Sequence, residues 1–200
     1  MAVKFQYNKT SQQQLDKQLK MRQRALPTLK NKEAALRIEV KKAKQQAEDL
    51  QDELEMQMAD LDKMAKLWGE FDMRVITIED VKLGSKKIAG VSTPVLQEVI
   101  FKKEPFALFT KPVWFLDGLV LVEKLARIGI EREVYIRKME LLDYARKKST
   151  QKVNLYEKVQ IPGYIDAIRK IKRFLEDEEN LSKSAQKIVK SRQEAMEGKA

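Results

Sequence analysis

Residues 15 to 68 carry a seam at alternating steps of four and three: Leu15, Leu19, Arg22, Leu26, Leu29, Glu33, Leu36, Val40, Ala43, Ala47, Leu50, Leu54, Gln57, Leu61, Met64 and Trp68. Thirteen of these sixteen positions are apolar. Held for more than seven heptads, a 3.5-residue period keeps one face turned to a partner helix, so the segment reads as one strand of a coiled coil. Thr10 or Ser11 is the expected N-cap, and Gly69 ahead of "EFDM" the expected stop. At 1.5 Å per residue, such a helix is about 90 Å long, more than a globular domain of this chain length could enclose.

The composition agrees with long helices and few turns: 35% charged residues, 7% aromatic, seven Gly and five Pro in 200 residues. Cysteine and histidine are both absent. A disulfide framework, a zinc knuckle and a thiol nucleophile are thereby excluded, together with the commonest general base and metal ligand. The opening "MAVKFQYNKT" has no apolar core of a secretory signal. "PVWFLDGLVLVEKLARIGI" is interrupted by Asp117 and Glu123 and falls short of the roughly 20 apolar residues of a membrane span. The expectation is a soluble intracellular protein with no direct membrane insertion, which meets a membrane only through a partner.

Between Met73 and Phe101 the period shortens and β-branched residues cluster in "VITIEDVKLGSKKIAGVSTPVLQEVIF". Gly84 with Ser85, then Gly90, then Thr93 with Pro94 read as turns between two or three short strands. From about Lys111 the helical pattern returns. Leu125, Ile128, Tyr135, Met139, Leu142, Val153 and Tyr156 fit one seam, and Tyr164, Ile168, Ile171 and Leu175 restart it after Pro162. Leu181, Ala185 and Ile188 follow in a shifted phase. The expected fold is mainly α: a long antiparallel two-helix coiled coil, residues 1–70 with 112–200, and a small β-hairpin element at 71–111. All three form one functional unit, because two long amphipathic helices joined by a compact middle must cover each other's apolar stripe.

Two prolines fall within these helices. Pro27 follows the seam residue Leu26 and so lies on the outer side, where its ring crowds the Gln23 carbonyl without removing a seam side chain. With the first helix ending near 70 and the second beginning near 113, facing positions sum to about 183. Residue 27 then faces 156, about two turns from Pro162, and the expectation is a coil that bends or changes its winding at the height of Pro27 and Pro162. Beyond about residue 173 the second helix has no partner left. Charge is zoned along the same axis: residues 1–44 carry a net of +9, 45–70 a net of −6, and 146–173 a net of +7. The two basic zones coincide in the antiparallel arrangement.

The chain offers little for catalysis. It has no P-loop, no GxSxG, no histidine triad and no metal-ligand spacing. "LEDEEN" reads as a solvated helix face, and Trp114 with Phe115 as core packing where the β element meets the coil. A net charge of +10 attracts phosphate, yet the basic residues are not interleaved with stacking aromatics, and no specific nucleic-acid signature is present.

"KFQYNKTSQQQLDKQLKMRQRALPTLKNKEAALRIEVKKA", "IAGVSTPVLQEVIF" and "QKVNLYEKVQIPGYIDAIRKIKRFLEDEENLSK" together resemble the D subunits of the V-type (V/A-type) ATPases, over nearly the whole chain and in order. The resemblance implies a central-stalk rotor axle without a catalytic site or cofactor of its own. Its terminal helices wind together inside the ring of A and B subunits that carries the nucleotide sites. A small F subunit lies alongside, and a funnel-like subunit leads to the membrane rotor ring that moves H⁺ or Na⁺. It also implies a cytoplasmic location, peripheral to the membrane, and a middle β-hairpin that some members use to modulate ATPase rate. On this reading the packed seam of Leu15, Leu19, Leu26, Leu29, Leu36, Val40, Leu50, Leu54, Leu61, Ile168, Ile171 and Leu175 gives torsional stiffness. The basic zone of Lys20, Arg22, Arg24, Arg169, Lys170, Lys172 and Arg173 meets acidic segments of the ring. A free-standing coiled-coil adaptor, which would self-associate, and a nucleic-acid-binding rod, which would bind DNA with steep salt dependence, are the alternatives.

Overall fold

The computed structural model describes residues 4–62, 71, 73–107 and 111–197, with side chains outside the described set at 60–62, 73 and 195–197. The chain is mainly α, with a two-stranded sheet in the middle. Helix α1 spans Lys9–Asp62, a 3₁₀ turn spans Met73–Val75, and strands β1 and β2 span Ile76–Ile88 and Val91–Lys103. Helix α2 spans Phe115–Asn154, a π-helical turn spans Leu155–Gln160, and helix α3 spans Ile161–Glu197. Two compact units result, residues 1–31 with 149–200, and residues 32–148.

The start of α1 corrects the expected cap. Asn8, rather than Thr10 or Ser11, is the N-cap, its Oδ1 accepting the Ser11 N–H at 2.6 Å. Ser11 reciprocates by accepting the Gln6 N–H on its hydroxyl at 3.3 Å. The Asn8 N–H itself donates to the Gln6 carbonyl at 2.9 Å, so Ser11 satisfies a donor upstream of the cap rather than closing a capping box on it. The expected stop at Gly69, and the seam positions Met64 and Trp68, lie outside the described residues; Leu61 lies outside the described side chains.

In residues 32–148 the 3.5-residue seam is the buried face of α1. Leu36, Ala43 and Ala47 are buried, and Glu33, Val40, Leu50, Leu54 and Gln57 are half-buried. On α2, Ile128 and Leu142 are buried. Leu36 and Leu142 have no exposed surface at all. At the start of α2, Phe115 and Leu119 close a core with Phe71, Val75 and Ile76, onto which Phe101, Phe106, Trp114 and Val122 pack. The Phe71 and Phe115 rings stack at 4.9 Å. Trp114 and Phe115 are core residues, and Gly118 lies beneath them because an added Cβ would come within 3.2 Å of both Phe71 and Trp114.

The β element is the expected hairpin, built of two strands that are longer than the turn signals suggested. Both strands have 13 residues, paired antiparallel from Ile76 with Lys103 to Ile88 with Val91. Gly84, Ser85, Thr93 and Pro94 are not turns; Gly84 pairs with Val95 and Ser85 with Pro94 inside the ladder. A two-stranded ribbon leaves each strand one free edge, which tolerates a proline without an N–H. Thr93 is held in place by burial and by donating its hydroxyl to the Lys86 carbonyl at 2.9 Å. The single turn is Ala89–Gly90, with φ of 48° and 79°. Positive φ at both central residues of a two-residue loop is the type I′ geometry that suits the twist of the strands. Alanine carries a steric cost in that conformation that asparagine largely escapes. Ala89→Asn should therefore stabilise the hairpin by about 0.5–1 kcal/mol, read as slower hydrogen exchange of its ladder amides. Faster exchange would contradict the turn geometry.

The hairpin lies against α2. Pro94, Val95 and Leu96 of β2 face Glu131, Val134, Tyr135 and Lys138 across a crevice of about 70 Å³. Lys103 pairs with Glu123 at the base of the hairpin. Across the ladder, Lys82 donates to Glu98 at 2.9 Å, which raises the Lys82 pKa and lowers that of Glu98.

Further along α2, Asp143 accepts from both Lys147 and Arg146, and these bonds hold its carboxyl below the usual carboxylate range. A carboxylate depressed on folding stabilises the protein above its unfolded pKa and ceases to do so as pH falls through the folded value. At pH 7, Asp143→Asn should cost about 0.5–1 kcal/mol. The gap in melting temperature should narrow as pH drops below about 4. A gap that is constant from neutral to acid pH would refute the assignment.

Candidate interaction surface

Residues 1–31 and 149–200 hold the paired helices and all seven of the basic residues singled out above. Their pairing is fixed by side-chain bonds between α1 and the second helix. Tyr164 donates its hydroxyl to Gln18 Oε1 at 2.9 Å, and Arg22 Nε donates to Gln160 Oε1 at 2.6 Å. The pairs 18 with 164 and 22 with 160 both sum to 182, within one residue of the antiparallel register of 183 expected from the helix ends. Lys30 pairs with Glu157 at 2.7 Å.

Beneath these bonds lies a core of Leu15, Tyr164, Ala167 and Ile171, with Phe5, Leu19, Ile168 and Leu175 packed against it. Leu26 and Leu29 continue the same face, half-buried. Ahead of the Asn8 cap, Phe5 and Tyr7 contact each other, and the Tyr7 ring lies 4.9 Å from Phe174. Phe5 and Tyr7 thus pack against α3 where the pairing ends. From Glu176 to Glu194 every residue is exposed. Leu181 is 72% and Ile188 55% exposed, so the shifted-phase residues Leu181, Ala185 and Ile188 are uncovered among the described residues.

The second helix does not pass Pro162 as a simple kink. Its change of winding lies just upstream, in the six-residue π turn Leu155–Gln160, where the Ile161 N–H bonds the Tyr156 carbonyl five residues back. Proline at 162 can donate no bond to the Lys158 carbonyl and crowds it. A π turn, in effect one residue inserted into an α-helix, absorbs the misfit. Pro27, by contrast, lies inside the uninterrupted α1.

Six of the seven basic residues, Lys20, Arg24, Arg169, Lys170, Lys172 and Arg173, are exposed. Three of them pair within their own helix: Lys20 with Asp16 at 2.8 Å, Arg169 with Asp166 at 2.5 Å and Lys172 with Glu176 at 3.7 Å. Such pairs are screened and contribute little to stability. Arg22 departs from the expected basic zone. It occupies a seam position, half-buried, with its guanidinium 4.6 Å from the centre of the Tyr164 ring and 5.9 Å from that of Tyr156. Its aromatic and amide neighbours engage it inside the coil, and the surface charge comes from the other six. Asn8, Gln18 and Gln160 went unnoticed in the sequence because single polar residues on a polar-rich helix give no periodic signal.

Among the described residues no helix is long and apolar enough to cross a membrane, and no cluster of carboxylates is arranged to hold a metal ion. What the geometry offers is a surface: a paired-helix end with exposed cations on both strands, followed by an uncovered helix.

Comparison with known proteins bears on the same features. The family model for the D subunit of ATP synthase matches residues 11–191, which includes both proline segments and the hairpin. The V-type ATP synthase D subunit of Borreliella burgdorferi is 28% identical over 176 residues, 87% of each chain. That of Chlamydia caviae is 29% identical over 182 residues, 86% of this chain and 87% of its own. That of Chlamydia trachomatis serovar L2 is 25% identical over 197 residues, 96% of this chain and 97% of its own. A match that runs unbroken from the first turns of α1 to the last turns of α3 covers the whole architecture, and the chain belongs to the family of ATP synthase D subunits.

Proposed function

We propose that this chain is the central rotor axle of a rotary V/A-type ATPase. It transmits torque between ATP hydrolysis or synthesis in the ring of A and B subunits and H⁺ or Na⁺ translocation by the membrane rotor ring. The observation that carries the reading is the paired end of residues 1–31 and 149–200, with its exposed cations and the uncovered helix beyond Leu175. A shaft turning in a ring needs a packed seam for stiffness and an asymmetric surface, so that each catalytic interface meets a different face at each angle. The two proline positions, with the change of winding ahead of Pro162, supply the asymmetry at one height. Lys20, Arg24, Arg169, Lys170, Lys172 and Arg173 face acidic segments of the ring wall.

The segments 1–70, 71–111 and 112–200 act as one unit. It is non-catalytic, needs no cofactor, and works on the cytoplasmic face of the membrane without entering it. The small F subunit docks alongside the coil, and a funnel-like subunit links the axle to the membrane ring. Native mass spectrometry of the full chain with the A, B and F subunits of the same source tests the proposal. One copy of this chain with one F inside a ring of three A and three B is the expected assembly. A homodimer that ignores the other subunits would overturn the axle in favour of a self-associating adaptor.

A further inference from the structure

Arg22 contacts the second helix within the π turn and beyond it. Its Nε reaches Gln160, the last residue of the turn, while its guanidinium lies over Tyr164 beyond the turn and near Tyr156 within its first residues. It is itself fixed from behind, Nη1 donating to the Gln18 carbonyl at 3.2 Å, and Gln18 accepts the Tyr164 hydroxyl. Tyr156, Gln160, Tyr164 and Ile168 follow at steps of four, whereas a continuous α-helical seam alternates four with three. The surplus is one residue, and at 3.6 residues per turn one residue is worth about 100° of rotation. If the π turn rewound to α, everything after it would rotate by about that angle around α3 and carry Ile171 and Leu175 off the seam.

We infer that Arg22 is a positioning residue, holding the one-residue winding offset and so fixing the angular phase of α3 against α1. A planar fork that donates in fixed directions while its face lies on aromatic rings is suited to reading a helical phase. A seam leucine would accept either winding. The inference concerns the coil alone and stands or falls independently of the axle reading.

The test uses the full chain, which has no native cysteine. Spin labels at Lys17→Cys and Lys170→Cys, both exposed positions, report the distance between α1 and α3 by pulsed electron resonance. The parent should give one narrow distance. Arg22→Gln should add a second distance in at least about one-tenth of the molecules, and Arg22→Lys, which keeps the charge over the rings, should add less. Deleting Lys158 removes the surplus residue, and with it the winding offset that Arg22 holds, so Arg22→Gln in that background should give a single narrow distance again. A merely structural arginine would behave alike in both backgrounds. Equal broadening with and without Lys158, or one unchanged distance in Arg22→Gln, would overturn the inference. Should Arg22→Gln fail to fold, Gln160→Ala removes only the 2.6 Å acceptor and is read in the same scheme with the same two outcomes.

Discussion

Ile171→Ala is expected to destabilise the paired end of the chain by about 2–5 kcal/mol, while Leu181→Ala changes stability by less than about 0.5 kcal/mol. Both are aliphatic residues on α3, ten positions apart. Ile171 has no exposed surface and is enclosed by Leu15, Tyr164 and Ala167, with Leu19, Ile168 and Leu175 around them. Truncation there removes the transfer free energy of the lost methylenes and leaves a cavity that two helices pinned by Tyr164–Gln18 and Arg22–Gln160 cannot collapse to fill. Leu181 lies past the last paired turn, and its side chain is in water in the isolated chain. Denaturant unfolding followed by circular dichroism decides the matter. Equal losses at the two positions would mean that α3 is covered beyond Leu175, contrary to the structure.

The two residues separate stability from function. If the helix beyond Leu175 is a surface for other subunits, Leu181→Ala should leave the free chain intact and still weaken its assembly. Ile171→Ala would affect assembly only by unfolding the paired end.

Reversing charge at Arg24, Lys170 and Arg173 to glutamate is expected to weaken assembly with the A and B ring at least about tenfold at low salt. Reversing Asp52, Glu53 and Glu55 to lysine should weaken it less than about twofold. All six residues are exposed, so neither triple disturbs the core. The basic residues stand on both strands of the paired end, and an approaching acidic wall would sense the sum of their fields. The acidic trio lies on α1 in the other unit, residues 32–148. Because the attraction acts between solvated charges, raising ionic strength should erase most of the difference, the Debye length falling from about 10 Å at 0.1 M to about 3 Å at 1 M. The readout is the fraction of ring that captures the chain at several salt concentrations. Equal losses from the two triples would remove the basic zone from the proposed function and leave the coil geometry to carry it.

Much of this protein was legible as a one-dimensional pattern. The four-and-three walk from Leu15 to Gln57 names, without exception, positions that are buried or half-buried in the structure. A 3.5-residue period admits one continuous contact line, so the buried face of α1 follows from arithmetic alone. The antiparallel register follows as directly, because the ends of the helices set which positions face each other; the bonds at 18 with 164 and 22 with 160 differ from it by one residue. The absence of histidine and cysteine, and the zoning of charge, are properties of the sequence itself.

What the sequence left undecided were choices between local options of similar cost. Three turn signals lay between Met73 and Phe101, and only Ala89–Gly90 turns. Gly84 and Pro94 are compatible with a strand when the ribbon has a free edge, and the buried Thr93 and Val99 draw β2 against the rest of its unit as one extended piece. Asn8, Thr10 and Ser11 could each cap α1; Asn8 does so because Ser11 then satisfies the Gln6 N–H as well. The eight-residue step from Tyr156 to Tyr164 exceeds a heptad by one, but whether a helix absorbs the surplus as a kink, a loop or a π turn depends on what stands opposite. Here that is Arg22, a charge in the seam that reads as a flaw in the heptads when α1 is considered alone. Period and charge are additive along a chain and can be read from it. How the second helix absorbs its surplus residue is settled by contacts more than 130 residues away in sequence, and only the folded pair of helices supplies them.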